Sequence, residues 1–399
     1  MASTNVLLTP TIIAKEALMQ LVNSRAMSKH VHTAYKNEFV KVGSTITIRK
    51  PNKFRATKSA TRSNTNISEP STSITISAQA HVSWAFNSAE LTTTIEDYSN
   101  RYISPAAEAL ANQIDADLCS LYVDVFNYAG TPGTTPATYS ALGAAQRVLD
   151  DEAAPTDTRV AIVNPAANWA LADGLKGTFA QHVAEDIITK GYLGSIANLH
   201  IYMDQNVARH TCGHFTTGAT PVMNGATASG ATSFVTNGWS GSNTVKAGDI
   251  FTVAATNAVN PMSGVSRGEL KRWVVRTDTA DSGADMTIPI APTCVYGATD
   301  PYSNVDALPL TTAALTFVGT QDTLYPQNLV FHPNAFALVT VPLEMPSGVW
   351  GARETDPDAG LSMRVVKQYD IEADEEIIRL DILYGVKTLY PELAVRLIG

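Results

Sequence analysis

Residues 74 to 86 constrain the fold more than any other stretch. Ile74, Ile76, Ala78, Ala80, Val82, Trp84 and Phe86 recur at every second position, with mostly polar residues between them. Successive side chains of a strand point to opposite faces, so this period predicts a long strand with one apolar face. An earlier run, Ser44-Thr45-Ile46-Thr47-Ile48-Arg49, alternates in the same way. Between the two lies a polar, Ser/Thr/Asn-rich stretch from Lys58 to Thr72. Two strands with a polar tip predict a protruding β-hairpin. A two-stranded ribbon is barely stable alone in water, so this one is expected to lie on something.

The hairpin is basic. Lys36, Lys41, Arg49, Lys50, Lys53, Arg55, Lys58 and Arg62 stand against one acid, Glu38, a local charge of +7 in a chain whose total is -9. The next segment is acidic. Ser104-Pro105 is a helix start, with Glu108 in the first turn. Ala107, Leu110, Ala111, Ile114, Leu118, Leu121, Tyr122 and Val125 then form an apolar stripe. Running to about Tyr128, such a helix is about 36 Å long. From Glu90 to Asp124 the acids are Glu90, Glu96, Asp97, Glu108, Asp115, Asp117 and Asp124, and Arg101 is the only base. A basic arm and an acidic helix in one chain are complementary. If the arm reaches another copy, they make a head-to-tail interface. The expected contacts are Arg49, Lys50, Lys53, Arg55 and Lys58 on the loop and Glu108, Asp115 and Asp117 on the helix. The plainer alternative is solvated charged faces on a monomer.

Composition narrows the class. Only 16% of the 399 residues are charged, against about 25% in an average soluble domain. Hydrophobic content is 45%, which argues against disorder. The acidic balance argues against a strongly basic nucleic-acid binder. No apolar run approaches the roughly 18 residues that span a bilayer, and the start lacks the features of a signal peptide. The three cysteines, Cys119, Cys212 and Cys294, are too sparse for a disulfide framework and fit a reduced chain. Low charge leaves open what covers this surface.

The remaining pattern alternates. Thr9 caps and Pro10 opens a first helix carrying Ile12, Ile13, Ala17, Leu18, Leu21 and Val22. Asn87 or Ser88 caps a short helix over Glu90 to Tyr98. Ser140 to Asp151 is an amphipathic helix, and Thr158 to Val163 a buried strand. Asn164 caps and Pro165 opens a helix to Leu175. Another strand-like run covers Ile196 to Met203. From His210 to about Thr323 the text is Gly, Ser, Thr, Asn and Ala with short β runs at Ile250–Val253, Trp273–Val275, Met286–Ile290 and Leu315–Val318. That spacing predicts an all-β barrel or sandwich inserted into the chain. Val330 to Phe336 then repeats the strand-Asn-Pro-helix pattern around Pro333 and Asn334. Met363 to Val366 and Ile377 to Leu383 are strands flanking an acidic turn of Glu372, Asp374, Glu375 and Glu376.

No catalytic motif is present: the sequence lacks GxSxG, HExxH, a Walker A loop and a GxGxxG in strand-to-helix context. His210, Cys212 and His214 alternate but lack a second ligand pair at zinc spacing. They are read as a solvated loop start, with no metal site. Asp356 and Asp358 read as a turn around Pro357 and Gly360. The expectation is no enzyme, no cofactor and no metal.

The order of elements carries a resemblance. Val160-Ala161-Ile162-Val163-Asn164-Pro165-Ala166-Ala167-Asn168-Trp169, Gly191 to Tyr202 and Ile378 to Val386 are its main stretches. Lys246-Ala247-Gly248-Asp249-Ile250-Phe251-Thr252 and Val259-Asn260-Pro261 support it. The chain resembles the major capsid (coat) proteins of tailed bacteriophages. It is most similar to the branch with an inserted β-barrel, typified by the coat protein of the short-tailed Salmonella phage. The resemblance implies an α+β fold: residues 1–34 an N-terminal arm, 35–87 an extended β-hairpin loop lying over a neighbouring subunit, and 88–157 a peripheral domain with a spine helix, completed by 377–399. Residues 158–206 and 328–376 are the axial domain, and 207–327 the inserted barrel. It implies hexamers and pentamers in an icosahedral head. The implied partners are the chain itself, scaffolding protein, portal, possible decoration proteins and packaged double-stranded DNA without sequence-specific contact, and no membrane. The implied location is the virion, after assembly in the bacterial host cytoplasm. Some relatives crosslink a loop lysine to a neighbour's asparagine. Lys50, Lys53 and Lys58 are available, but no crosslink is predicted. The alternatives are a nanocompartment shell of the same fold and a β-rich tail or carbohydrate-binding protein.

Overall fold

The structure is a computed structural model that describes residues 10–33, 45–56, 58, 60–62, 69–87, 99–175, 193–215, 219–297, 300–356 and 360–399. The short helix expected over Glu90 to Tyr98 and the turn at Asp358 lie outside the described residues.

In chain order the elements begin with α1 (Pro10–Ser24), β1 (Thr45–Arg49), β2 (Ser71–Thr75), β3 (Ala78–Asn87), α2 (Ser104–Ser120), β4 (Tyr128–Ala129), α3 (Tyr139–Asp151), β5 (Val160–Val163) and α4 (Pro165–Leu175). Next come β6 (Ser195–Ile196), β7 (Leu199–Met203), β8 (Arg209–Thr211), β9 (Val222–Met223), β10 (Ala231–Asn237), β11 (Thr244–Val245), β12 (Ile250–Val259), β13 (Ser266–Val275), β14 (Thr279–Ala280), β15 (Asp285–Cys294) and β16 (Leu315–Phe317). The last are β17 (Leu324–Phe331), β18 (Phe336–Val341), β19 (Trp350–Asp356), β20 (Leu361–Asp370), β21 (Glu375–Thr388) and β22 (Ala394–Ile398). The chain divides into two compact units. One comprises residues 1–48, 71–118 and 336–387, the other 49–70, 119–335 and 388–399.

In the first unit the alternating run behaves as its period demands. Ile74, Ile76 and Phe86 are buried, and Ala78, Ala80, Val82 and Trp84 are half-buried, while the residues between them face solvent. The run is not one strand. β2 pairs with β1 in a short hairpin, and after a break at Ile76-Ser77 β3 pairs antiparallel with β21, from Asn87 opposite Glu375 to Ala78 opposite Tyr384. The ribbon's apolar strand is thus a member of the β18-β21-β20-β19 sheet. Gly385 on β21 permits this: a Cβ there would stand 2.6 Å from the Thr75 carbonyl oxygen. α1 packs on β19 and β20 through Ile13, Ala14, Ala17, Leu18 and Leu21, spaced three and four apart. Within the sheet the Asp381 carboxylate is fully buried and accepts from Arg364 and Arg379, each at 2.7 Å. Burial opposes its charge, but the two guanidinium groups outweigh burial and hold its pKa below the ordinary value.

α2 is shorter than expected. It ends at Ser120, about 25 Å from its start, and Leu121–Asp124 tightens into a 3-10 turn before the chain extends at Val125. The apolar stripe continues past Ser120 because Tyr122 and Val125 are buried in the second unit, not because the helix does.

The second unit holds a sheet of order β4-β22-β17-β5-β7-β6. α3 and α4 pack over it through Leu142, Ala145, Val148, Leu149, Ala167 and Leu171. Asn164 caps α4 as expected, its Oδ1 accepting from Ala167 N at 2.9 Å. The second segment, His332-Pro333-Asn334, does not repeat this. Pro333–Ala335 makes one 3-10 turn and leads straight into β18, whose six residues are all buried. A run buried on both sides, Phe-Ala-Leu-Val-Thr-Val, suits a strand covered on both faces, here the end strand of the β18-β21-β20-β19 order.

The inserted β region is a barrel. Strand order β16-β12-β13-β15-β10-β9 closes where Val222 bridges Ala314 and Leu315 N donates to Pro221 O at 2.9 Å. Aromatic rings fill it: Phe234 and Trp273 meet edge to face at 5.2 Å, and Phe251 and Phe317 lie 5.4 Å apart.

Two helix glycines give a paired test. A Cβ on Gly174 in α4 would stand 1.7 Å from the Ala137 carbonyl oxygen, whereas nothing lies within 4 Å of one on Gly143 in α3. Alanine normally favours a helix over glycine by about 1 kcal/mol. Gly143→Ala is therefore expected to keep or raise the thermal midpoint. Gly174→Ala is expected to lower stability by about 1–3 kcal/mol, because the backbone must move. Thermal unfolding followed by circular dichroism checks both.

Candidate functional site

The basic loop tip belongs to the second unit, and the structure gives each residue a place. Lys50 N donates to Pro70 O at 2.8 Å, closing the base of the tip. The Lys50 ammonium lies 4.6 Å from the Tyr390 ring centroid, and burial pulls its pKa below the ordinary value. Arg49 pairs with Glu69 at 3.2 Å on the open surface, a contact worth at most about 1 kcal/mol. Lys53 N donates to Tyr302 Oη at 3.3 Å, and Tyr302 Oη donates to Asn52 Oδ1 at 3.4 Å. Arg55 donates from Nη2 to Ser303 O at 3.1 Å, and its guanidinium covers Gly264, where a Cβ would stand 2.4 Å from Nη1. Gly264 also has φ +73°, a conformation that favours glycine. The ammonium groups of Lys53 and Lys58 and the guanidinium of Arg62 face solvent. Tyr302, Ser303 and Gly264 carry no local sequence signal for this role; only the fold brings them to the tip.

The three expected carboxylates of α2 part company. Asp115 is buried, and its oxygens accept from Ala26 N at 2.6 Å and Ser28 N at 2.8 Å. It fastens the chain after α1 and is not a surface charge. Asp117 is half-buried and accepts from the Tyr384 hydroxyl. Burial and that carboxylate push the tyrosine pKa up. Glu108 is exposed, with Ser104 Oγ 3.5 Å away. Of the three, Glu108 alone stands in open solvent.

The His210 segment also differs from expectation. It is not a solvated loop start: His210 and Cys212 are buried, and His214 pairs elsewhere, with Asp322 at 2.5 Å. Asp249, absent from the sequence reading of this cluster, completes a group in which one ligand atom each from His210, Cys212 and Asp249 lies within 4.8 Å of the others. The donor set suits zinc in kind, but its surroundings do not. Asp249 already accepts from His210 Nε2 at 2.8 Å, Lys246 N at 2.7 Å and Gly213 N at 3.1 Å. His210 Nδ1 is bonded to Tyr122 Oη at 3.1 Å, so a neutral imidazole protonated on Nε2 satisfies both contacts. Burial pushes the Cys212 thiol up to about 12, so it stays protonated. The buried Arg396 guanidinium supplies the positive charge. It donates to Val125 O at 2.8 Å and Gly248 O at 2.7 Å, and burial lowers its pKa to about 10. The cluster is a polar brace joining Tyr122, β8, the start of β12 and β22.

The chain thus combines an N-terminal helix, a basic loop, a 17-residue helix α2, α/β layers and an inserted β-barrel. A family model described as "P22 coat protein - gene protein 5" matches residues 1–399, and the chain belongs to that family. It is a structural capsid protein of that class. Comparison with curated proteins gives no match. Among solved structures, the chain is similar to one from Mycobacterium phage Che8, at 14% identity and TM-score 0.49, covering 93% of this chain and 90% of that one. It is also similar to the capsid of Ralstonia phage GP4, at 10% identity and TM-score 0.41, with coverage of 91% and 86%. The CUS-3 coat protein I-domain matches at 25% identity and TM-score 0.20, covering 26% of this chain and 97% of that one. No helix among the described residues is long and apolar enough to cross a membrane.

The buried carboxylate and the buried thiols can each be tested. Asp115→Ala strands two buried amides and is expected to cost about 2–4 kcal/mol, with Asp115→Asn costing roughly half, read from urea midpoints. Cys119, Cys212 and Cys294 are buried, and burial pushes Cys294 up to about 11 as well. Iodoacetamide at pH 8 is therefore expected to leave the native protein unlabelled and to label three thiols after denaturation, checked by intact mass.

Proposed function

We propose that this chain self-assembles into hexamers and pentamers that form the icosahedral head of a tailed double-stranded DNA bacteriophage. Assembly takes place in the host cytoplasm with a scaffolding protein and a portal, with decoration proteins as possible additions. The observation that carries this reading is the family match, which runs the whole length of the chain. The mechanism is association, not bond-making. Packaged DNA would meet a wall whose net charge is -9 per chain and make no sequence-specific contact.

Within that reading the basic loop is an intersubunit element. Arg49, Lys53, Lys58 and Arg62 keep charged ends toward solvent, whereas Lys50 and Arg55 hold the tip in shape. Exposed pairs add at most about 1 kcal/mol each, so their larger contribution is steering and register. Cohesion then has to come from apolar area. Of the α2 acids, Glu108 is the one available to a neighbour.

Expression with the neighbouring scaffolding gene, then negative-stain microscopy, is expected to show closed shells hundreds of ångströms across. Small soluble particles sink the proposal. Arg49→Glu with Lys53→Glu is expected to cut shell yield about tenfold while leaving the circular dichroism of the soluble subunit unchanged. Unchanged yield and stability would remove the loop's role. Nucleic acid in particles from infected cells separates a genome-filled head from a protein-filled compartment.

A further inference from the structure

A small cavity lies inside the second unit, where the barrel meets the α/β layers. Its charged and polar lining comes from Asn127 ahead of β4, Glu152 just after α3, and Arg267, Glu269, Lys271 and Arg272 on β13. Its volume is about 10 Å³, room for one water-sized particle.

The lining is rich in donors and short of acceptors. Lys271 is 4% exposed, and its ammonium lies 4.7 Å from the Phe126 ring centroid. It makes no ion pair or hydrogen bond among the described residues. Burial pulls its pKa below the ordinary value; Glu152 and Glu392 oppose the shift, and Arg267 and Arg272 add to it. Asn127 is 2% exposed, and its Nδ2 has no hydrogen-bond partner among the described residues. Arg267 is held by Glu152, Nη2 donating to Oε1 at 2.6 Å, yet its buried Nε is likewise without a partner. Arg272 lies over the Tyr128 ring and 4.0 Å from Glu269, whose nearer partner is the exposed Arg147 at 3.0 Å.

Three cations and two carboxylates thus border one small space, and one positive charge is left unbalanced. A buried ammonium and two buried N–H donors without partners are each costly. A water has two lone pairs and no charge, so it serves two of these donors and balances nothing. A monatomic anion accepts from every donor around it and supplies the missing charge. Sulfate or phosphate is too large for a space of this volume.

We propose that this cavity binds one small monovalent anion of the chloride type, held by Lys271 Nζ, Asn127 Nδ2 and Arg267 Nε. The anion ties together three sequence-distant pieces: β13 of the barrel, the segment before β4 and, through Arg267 and Glu152, the end of α3. The join between barrel and α/β layers then depends on which anion is present.

The test uses the full-length soluble subunit at pH 7 and constant ionic strength, with sodium gluconate exchanged for sodium chloride. The thermal midpoint is expected to rise by about 2–4 °C at tenfold over the half-saturating chloride concentration, and then to level off. Sodium sulfate is the control, because it strengthens apolar burial in general without entering the site. Lys271→Met and Asn127→Leu are each expected to abolish the chloride response. Asn127→Asp places a carboxylate where the anion sits; its midpoint in gluconate is expected to match wild type in chloride, with no further response to chloride. Wild type is expected to broaden the ³⁵Cl NMR line saturably, with bromide reversing the effect, and Lys271→Met is expected not to broaden it. Equal wild-type midpoints in chloride and gluconate with no saturable broadening mean a bound water only and overturn the proposal. A chloride response that persists in Lys271→Met is a general salt effect and also overturns it. If the variants do not fold, saturable broadening reversed by bromide in wild type decides.

Discussion

A two-stranded ribbon cannot hold itself together in water, and the loop of this protein is organised around that constraint. At its base, β3 does not stay in the ribbon but pairs along ten residues with β21. At its far end the tip is fixed by backbone and side-chain bonds to Tyr302 and Ser303 and by a guanidinium laid on Gly264. The part left to stand as a free ribbon is five residues long on each side, β1 and β2. Ordering a long loop costs about 1–2 kcal/mol per residue in backbone entropy. Sheet addition at one end and docking at the other offset that cost where an isolated hairpin could not.

The same economy governs the buried charges. Three of them link sequence-distant elements clearly: Asp115 to the backbone after α1, Asp381 to Arg364 and Arg379, and Arg396 to carbonyls of two separate segments. Each is fully or nearly fully removed from water and each is hydrogen-bonded to these groups, although Nη2 of Arg396 has no partner among the described residues. A buried charge without partners costs several kcal/mol, so these groups specify how the elements meet more than they add cohesion. The Tyr122–His210–Asp249 chain extends the same device. Hydrogen bonds to Tyr122 and Asp249 occupy both imidazole nitrogens of His210 in this cluster.

Much of this was legible because local pattern and fold agree. The alternation from Ile74 to Phe86, the Asn164 cap with Pro165, and the regular short strands of the barrel all follow from periodicities that hold wherever the segment packs. The misreadings share one cause. The stripe through Leu121 and Val125 continues at helical spacing, yet the burial it reports belongs to another unit after the helix has ended. Asp115 sits between Ile114 and Ala116 in a run of acids, and nothing local shows that the amides of Ala26 and Ser28 point at it. His210 and Cys212 alternate on a strand, but Asp249 is 39 residues away from His210. Contacts at such separation leave no periodic trace in one sequence.

Sparse surface charge takes on a definite meaning in this frame. With 16% charged residues, and several of those spent inside, the chain has few charges with which to keep copies apart. The remaining ones are segregated, positive on the loop tip and negative on the β20–β21 turn. Exposed apolar side chains, Phe54 on the loop and Ile371 in the turn, lie in the same sequence stretches. Uniform low charge alone would favour indiscriminate aggregation. Segregation of charge favours directional over indiscriminate association, because like patches repel and unlike ones attract.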